Sequence, residues 1–436
     1  MPRWPGRVAA PVTLLTPAPV PVSGRPRAAD GVPAWLSTTA LALGGFGIGT
    51  SEFATMGILP LVTGDLGATI PQGGSVVSAY ALGVVVGAPL LAVAGARLPR
   101  KALLIALLAF FTAGSLLSAL APSLGWLLVA RFASGLPHGA FFGVAGIVAA
   151  SLVPPDRRGR AVARVLLGLT VANIVGVPLA TLLGQQLGWR TTYLFVAGIG
   201  ALSAVGVARL VPRLAALPGA GAARELGALR RAQVWLTLLV GAVGFGGFFA
   251  VYSYITPTLV ELTGLSEAGV PLALVLFGLG MTVGTEVGGR LADRGVVRTM
   301  ALGLVGVLVV LVAFALTAHH LVPAMLGIFL LSASGSLTIP ALQTRLMDVA
   351  GDAQSLAAAG NHASLNVANA VGAFLGGAVL AAGHGYRSPA LVGAALAAAG
   401  LVVLGASVAL ERRTAAGCGG GWESNPPGPD TDPHRF

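Results

Sequence analysis

Apolar runs of roughly eighteen or more residues recur along the whole of this chain, each long enough to cross a hydrocarbon layer of about 30 Å. In lipid no water is at hand for the backbone, so a spanning segment must satisfy its own N–H and C=O groups. Only helices and closed barrels do so. A barrel would show short segments of alternating polarity, and none is visible here. Of the 436 residues 55% are hydrophobic and only 9% charged, and the mean hydropathy is +0.86. A soluble domain carries about a quarter charged residues, and no globular core could bury this apolar excess. The fold class expected is an all-α membrane protein.

Spans are predicted near 36–62, 75–96, 102–121, 124–150, 161–184, 191–211, 234–257, 270–292, 299–318, 321–345, 355–382 and 388–410. The net charge of +11 falls in alternate loops. Arg97, Arg100 and Lys101 follow the second span, Arg157, Arg158, Arg160 and Arg164 the fourth, and Arg290, Arg294 and Arg298 the eighth. Arg209, Arg213, Arg224, Arg230 and Arg231 flank the central loop, whereas the intervening loops hold little beyond Arg190 and Arg387. This positive-inside pattern puts both termini in the cytoplasm. The basicity is topological, and a nucleic-acid partner is not expected, because no basic, aromatic-bearing domain lies outside the membrane. The single cysteine, Cys418, excludes disulfides and cysteine metal sites; no cofactor, metal or obligate protein partner is expected. One lysine among many arginines, with abundant Ala and Gly, suggests a GC-rich bacterial gene and an inner-membrane location.

The chain also repeats itself. Gly95-Ala96-Arg97-Leu98 returns as Gly288-Gly289-Arg290-Leu291, Val171–Gly176 as Val367–Gly372, and Gly188-Trp189-Arg190 as Gly385-Tyr386-Arg387, at offsets of 193, 196 and 197 residues. Three matches in one order at nearly one offset indicate two six-span halves. The predicted organisation is a disordered cytoplasmic extension (1–33), an N-terminal half (34–211), a central cytoplasmic loop (212–232), a C-terminal half (233–411) and a disordered tail (412–436). An even number of spans per half makes the repeats parallel, with a substrate site between them near the midplane.

Over about residues 35–410 the chain resembles the major facilitator superfamily, in particular its twelve-span drug:proton antiporters of the chloramphenicol-resistance and arabinose-efflux type. The resemblance rests on Gly49-Thr50-Ser51-Glu52-Phe53, on Gly95–Lys101, on Arg131–Gly139 (RFASGLPHG), on Gly176-Val177-Pro178 and on Gly288–Arg294. It implies a fold of twelve helices in two pseudo-symmetric halves, and export of small organic molecules in exchange for protons. A sugar or nucleoside exporter on the same scaffold is the alternative. There are departures. Pro99 and Arg100 stand where the family's loop after span 2 usually carries an Asp, which only the second half keeps, at Asp293; Ala180 and Thr181 follow Pro178 where paired glycines are usual.

Residues for such a mechanism stand out individually. Glu52 is a carboxylate within a span, which costs roughly 2.5–3.5 kcal/mol and so faces a cavity or a partner. Proton coupling and a static helix tie are both open to it. Arg131 sits at a similar depth, so the two could share a wet pocket or form a structural pair. His138, two turns beyond Arg131 on the same face, is a proton relay or a packing residue. Asn173 and Asn369 occupy equivalent places in the halves, and His362, Asn366 and Asn369 share one helix face. They could bind a polar substrate or glue helices. Phe245, Phe249 and Tyr252 form an aromatic stripe that suits an organic ligand or plain packing. Gly95, Arg97, Gly176, Pro178, Gly288, Arg290, Asp293 and Arg294 are gating candidates, and Gly176 with Pro178 should disturb span 5. Glu286 is placed to pair with Arg290 on one helix face. Neither an HExxH metal motif nor a phosphate loop ending in Lys-Ser or Lys-Thr occurs, which argues against an embedded metalloenzyme and an ATP-driven pump.

Overall fold

The computed structural model describes residues 32–95, 98–154, 157–213, 230–351 and 354–419. Twelve helical spans account for nearly all of them: α1 (Ala34–Gly57, continued by Leu59–Asp65), α2 (Ile70–Ala94), α3 (Arg100–Ala119), α4 (Leu124–Ser151), α5 (Arg158–Leu187), α6 (Arg190–Leu210), α7 (Ala232–Tyr252), α8 (Val270–Ala292), α9 (Val296–Thr317), α10 (Leu321–Ala350), α11 (Gln354–Ala381) and α12 (Ser388–Gly419). Eleven are long and apolar enough to cross a membrane on length and composition alone. The exception is α1, diluted by glycines and by Ser37, Thr38, Thr50, Ser51, Glu52 and Thr55, all of the latter buried. Its 24 residues still rise about 36 Å. Most of the predicted extension and central loop, and the gating candidate Arg97, lie outside the described residues.

The packing repeats with the sequence. In the first half α1 packs on α5, α2 on α4 and α3 on α6; in the second, α7 packs on α11, α8 on α10 and α9 on α12. The halves meet along α2 with α11 and α5 with α8, pairs that the repeat interchanges. One apolar cluster crosses that seam, joining Phe53, Met56, Val77 and Val177 to the aromatic core of the second half.

Without hydrophobic attraction between helices in lipid, close backbone approach is what holds neighbours together. A Cβ at Gly83 would overlap the Phe132 carbonyl and one at Gly135 the Tyr80 carbonyl, so α2 and α4 touch through backbone. Gly284 and Gly288 do the same for α8 against Ala333 and Leu337 of α10. Gly135→Leu is therefore expected to destabilise the protein by about 1–3 kcal/mol or more. Gly143→Leu, where a Cβ meets nothing within 4 Å, should be neutral. Thermal unfolding of the purified proteins in detergent separates the two.

Prolines break several spans that the sequence suggests are continuous. Pro60 offers no N–H to the Met56 carbonyl, and the Leu61 N–H turns to Ile58 at 3.0 Å. The Met56 and Gly57 carbonyls instead both accept from Thr256 Oγ1 of the opposite half, each at 3.0 Å. Pro137 divides α4 at Leu136. Before Pro178, α5 widens into a π turn over Ala172–Gly176, the disturbance expected there. The run 234–257 is interrupted by a π turn at Val240–Gly244 and by a break after Tyr252, in a glycine-rich stretch that ends at Pro257.

Of the predicted tail, residues 420–436 lie outside the described residues. Helix α12 continues through residue 412 to Gly419. Its end is tied down by Glu411, which accepts two hydrogen bonds from Arg345 of α10 at 3.1 and 2.8 Å.

Candidate functional site

Successive helix residues point about 100° apart, so neighbours on α1 serve different partners. Ser51 and Thr55 face into the first half. Arg131 donates through Nη1 to Ser51 Oγ at 2.8 Å and through Nη2 to the Ser51 carbonyl at 2.9 Å. Its guanidinium lies 4.2 Å from the centre of the Tyr80 ring and 5.4 Å from that of Tyr193. The Tyr193 hydroxyl in turn meets Thr55 Oγ1 at 3.0 Å. Arg131 is fully buried. Two ring faces and a carbonyl replace its water.

Glu52, Phe53 and Met56 face the other half. Glu52 is 7% exposed, and among the described residues no ion pair engages it. Asn369 of α11 lies against its carboxyl group, with neither amide atom of Asn369 in a well-formed hydrogen bond. Beside it Phe53 stacks parallel to Phe249 at 6.3 Å and meets Tyr252 edge-on at 5.7 Å. Tyr252 stacks on Phe277 at 3.6 Å. Phe245 stands one turn away, committed to Phe248 and to packing against Gly335. The expected Glu52–Arg131 pair thus takes another form: Arg131 grips the residue before Glu52 and fixes the helix segment that carries it. An arginine fork matches a carbonyl beside a hydroxyl, and the 100° turn leaves Glu52 for the opposite half.

Two turns from Arg131, His138 forms a second buried group. Its Nδ1 is 3.1 Å from the Tyr80 hydroxyl, and its ring centre lies 6.2 Å from that of His362 across the seam. His362 stacks on Phe142 at 5.8 Å. Tyr80 therefore touches Arg131 with its ring and His138 with its hydroxyl, linking the two groups. Asn366 donates to the His362 carbonyl at 3.1 Å and leaves Oδ1 without a partner. Asn173, in the π turn of α5, turns to its own helix and to α8. It donates to the Leu169 carbonyl at 2.9 Å, and its own carbonyl is pressed against Gly278 of α8.

At the end of the bundle away from the arginine-rich loops the halves are fastened to each other. Besides the Thr256 clamp, Ser78 Oγ donates to the Ala370 carbonyl at 3.1 Å and Gln185 Nε2 to the Glu267 carbonyl at 2.8 Å. Tyr254 donates to the Ala373 carbonyl within its own half at 2.7 Å, and its hydroxyl reaches across the seam to where a Cβ at Gly74 would be. Arg190, at that same end, is paired with Asp65 at 2.6 Å. Hydrogen bonds from Trp189 and Arg190 hold the Asp65 carboxyl below its usual range. Arg387, its counterpart, meets His319 at 3.3 Å.

Among the gating candidates, Gly95 is buried against Leu103, and a Cβ at Gly176 would overlap Thr50 of α1. Arg290 pairs with Glu286 at 2.7 Å on an exposed helix face, while Asp293 and Arg294 are exposed. Sequence reasoning missed Ser51, Tyr80, Tyr193, Tyr254 and Thr256. Of these only Ser51 carried a signal, by its place next to Glu52.

Residues 41–294 and 251–429 match the family model described as Major Facilitator Superfamily. The chain is 41% identical over 369 residues to the inner membrane transport protein YdhP of Escherichia coli, covering 84% of this chain and 94% of that one. It is 35% identical over 360 residues to a chloramphenicol resistance protein of Streptomyces lividans, covering 82% and 92%. Among solved structures it is similar to a bacterial homologue of the human lysosomal transporter Spinster, inward-facing and unoccupied (TM-score 0.67, 18% identity, 86% and 95% covered). It is also similar to the nucleoside transporter NupG (TM-score 0.69, 14% identity, 86% and 99% covered).

Proposed function

The chain belongs to the Major Facilitator Superfamily, and we propose that it is a secondary exporter that moves a small organic molecule outward as protons move in through Glu52. The observation that carries this reading is a buried carboxyl group on the seam between the halves, held by no ion pair among the described residues and flanked by Phe53, Phe249 and Tyr252. Carboxyl groups inside a membrane are expensive and mark ion pathways. Here a motion of one half against the other changes the surroundings of Glu52, which is what coupling requires.

The aromatic wall with a single acid favours neutral or cationic amphiphiles over anions, as pockets for organic ligands are largely apolar. Asn366, Asn369 and His362 supply polar groups on the facing helix. His138 and Tyr80 form a route by which a proton leaves the Glu52 region toward the other side. The clamps at Thr256 and Tyr254 form the outer gate, the π turn before Pro178 gives α5 its pliant point, and Gly95, Gly288, Asp293 and Arg294, at the ends of α2 and α8, serve the inner gate. The arginine-rich loops support a topology with both termini in the cytoplasm.

Expression in a host lacking its own efflux pumps tests the reading. The expected result is raised tolerance to at least one amphiphilic antibiotic or dye, lost when an uncoupler collapses the proton gradient. Unchanged tolerance across the panel, with the protein present in the membrane and nucleosides or sugars exported instead, would replace the substrate class. Tolerance insensitive to the uncoupler would remove proton coupling.

A further inference from the structure

A groove of about 510 Å³ runs between α9 and α12 on the outside of the second half. Its walls include Val297 and Ala301 of α9 and Leu404 and Val408 of α12, and Arg412 closes the end on the arginine-rich side. Gly405 hollows it: a Cβ there would meet nothing within 4 Å. From Leu401 to Arg412 the lining extends about 16 Å along the helix, close to the roughly 15 Å of one hydrocarbon leaflet.

The charge at that end is uncompensated. Arg412 is exposed, and among the described residues no hydrogen bond or ion pair engages it. The adjacent Glu411 is taken by Arg345 of α10. Arg298, next to the groove residue Val297, is exposed at the same end. By contrast, the apolar groove between α7 and α11, lined by Trp235, Leu239 and Val367, has no cation in its lining.

We propose that the α9–α12 groove binds one phospholipid with an anionic headgroup, an acyl chain lying over Gly405 and the phosphate held by Arg412 and Arg298. A slot of one leaflet's depth matches the chain, and two cations at the polar boundary select the headgroup. Such a lipid would staple α9 to the last helix beside the Arg345–Glu411 tie. The inference concerns a lipid-facing surface remote from Glu52 and stands whether or not Glu52 couples protons.

The full chain would be purified in detergent with equal amounts of phosphatidylglycerol and phosphatidylcholine, and retained lipid read by native mass spectrometry. Phosphatidylglycerol is expected to be preferred by about fivefold for each arginine engaged, the scale of a basic residue at an anionic surface. Arg298→Gln with Arg412→Gln should abolish the preference while keeping bound lipid. Gly405→Leu fills open space, so it should fold normally yet lower retention of both lipids. Inorganic phosphate should not displace the lipid, having no acyl chain for the groove. Equal retention of the two lipids by the wild type, a preference unchanged in the double arginine variant, retention unchanged in Gly405→Leu, or displacement by inorganic phosphate would each overturn the proposal.

Discussion

Glu52→Gln is expected to abolish uphill export while leaving the protein folded and able to bind its substrate. Glutamine keeps the size of the side chain and its hydrogen-bonding capacity toward Asn369, but has no proton to release. Glu52 is engaged by no ion pair among the described residues, and the buried Arg131 near it keeps both hydrogen bonds to Ser51, so the change leaves no buried cation without partners. That is the usual source of severe destabilisation when a buried charge is lost. Downhill exchange of substrate should persist, because the swing between states is an equilibrium that differential binding shifts without any change of charge. Counterflow in reconstituted vesicles should therefore be near normal when pH-driven transport is at background. Loss of both together would mark Glu52 as a structural tie.

The second large effect is expected at Arg131. Its removal leaves the Ser51 carbonyl and hydroxyl without their donors in a buried site, a cost of about 1–3 kcal/mol. Two ring contacts are lost with it. If that energy holds Glu52 in its productive place, transport by Arg131→Ala should fall roughly ten- to a hundredfold. Arg131→Lys should recover little, since an ammonium lacks the planar fork that meets a carbonyl and a hydroxyl together. The distinguishing readout is the coupling ratio. Mispositioned Glu52 should pass fewer protons per substrate, whereas a merely weakened fold would lower both fluxes in proportion and leave the ratio unchanged.

The architecture was legible because lipid removes alternatives. Apolar runs of spanning length admit few structures, and three matched segments were enough to show the halves. Intramembrane charges were legible for the same reason, and Glu52 and Arg131 stand out from composition alone. What they bind was not. The partner of Arg131 is Ser51, 80 positions away, and that of Thr256 is a pair of carbonyls about 200 positions away. Those carbonyls became available only through Pro60, a residue that by itself signals a broken helix and not an acceptor for another half. Tyr80, Tyr193 and Tyr254 sit in apolar helices where a lone tyrosine has no local pattern. The equivalence of Asn173 and Asn369 in the repeat does not extend to their contacts. The repeat places them at matching depths, but the π turn before Pro178 presses Asn173 against Gly278, while Asn369 faces Glu52. Repeated sequence gives repeated backbone, and the two halves need not use it alike.

The most direct test of the central claim is proton release on substrate binding, measured with a pH-sensitive dye in weakly buffered detergent solution. Wild-type protein should release protons when a transported amphiphile is added, and Glu52→Gln should bind the same amphiphile and release none. Undiminished release from Glu52→Gln would contradict the assignment and shift it to His138 and His362.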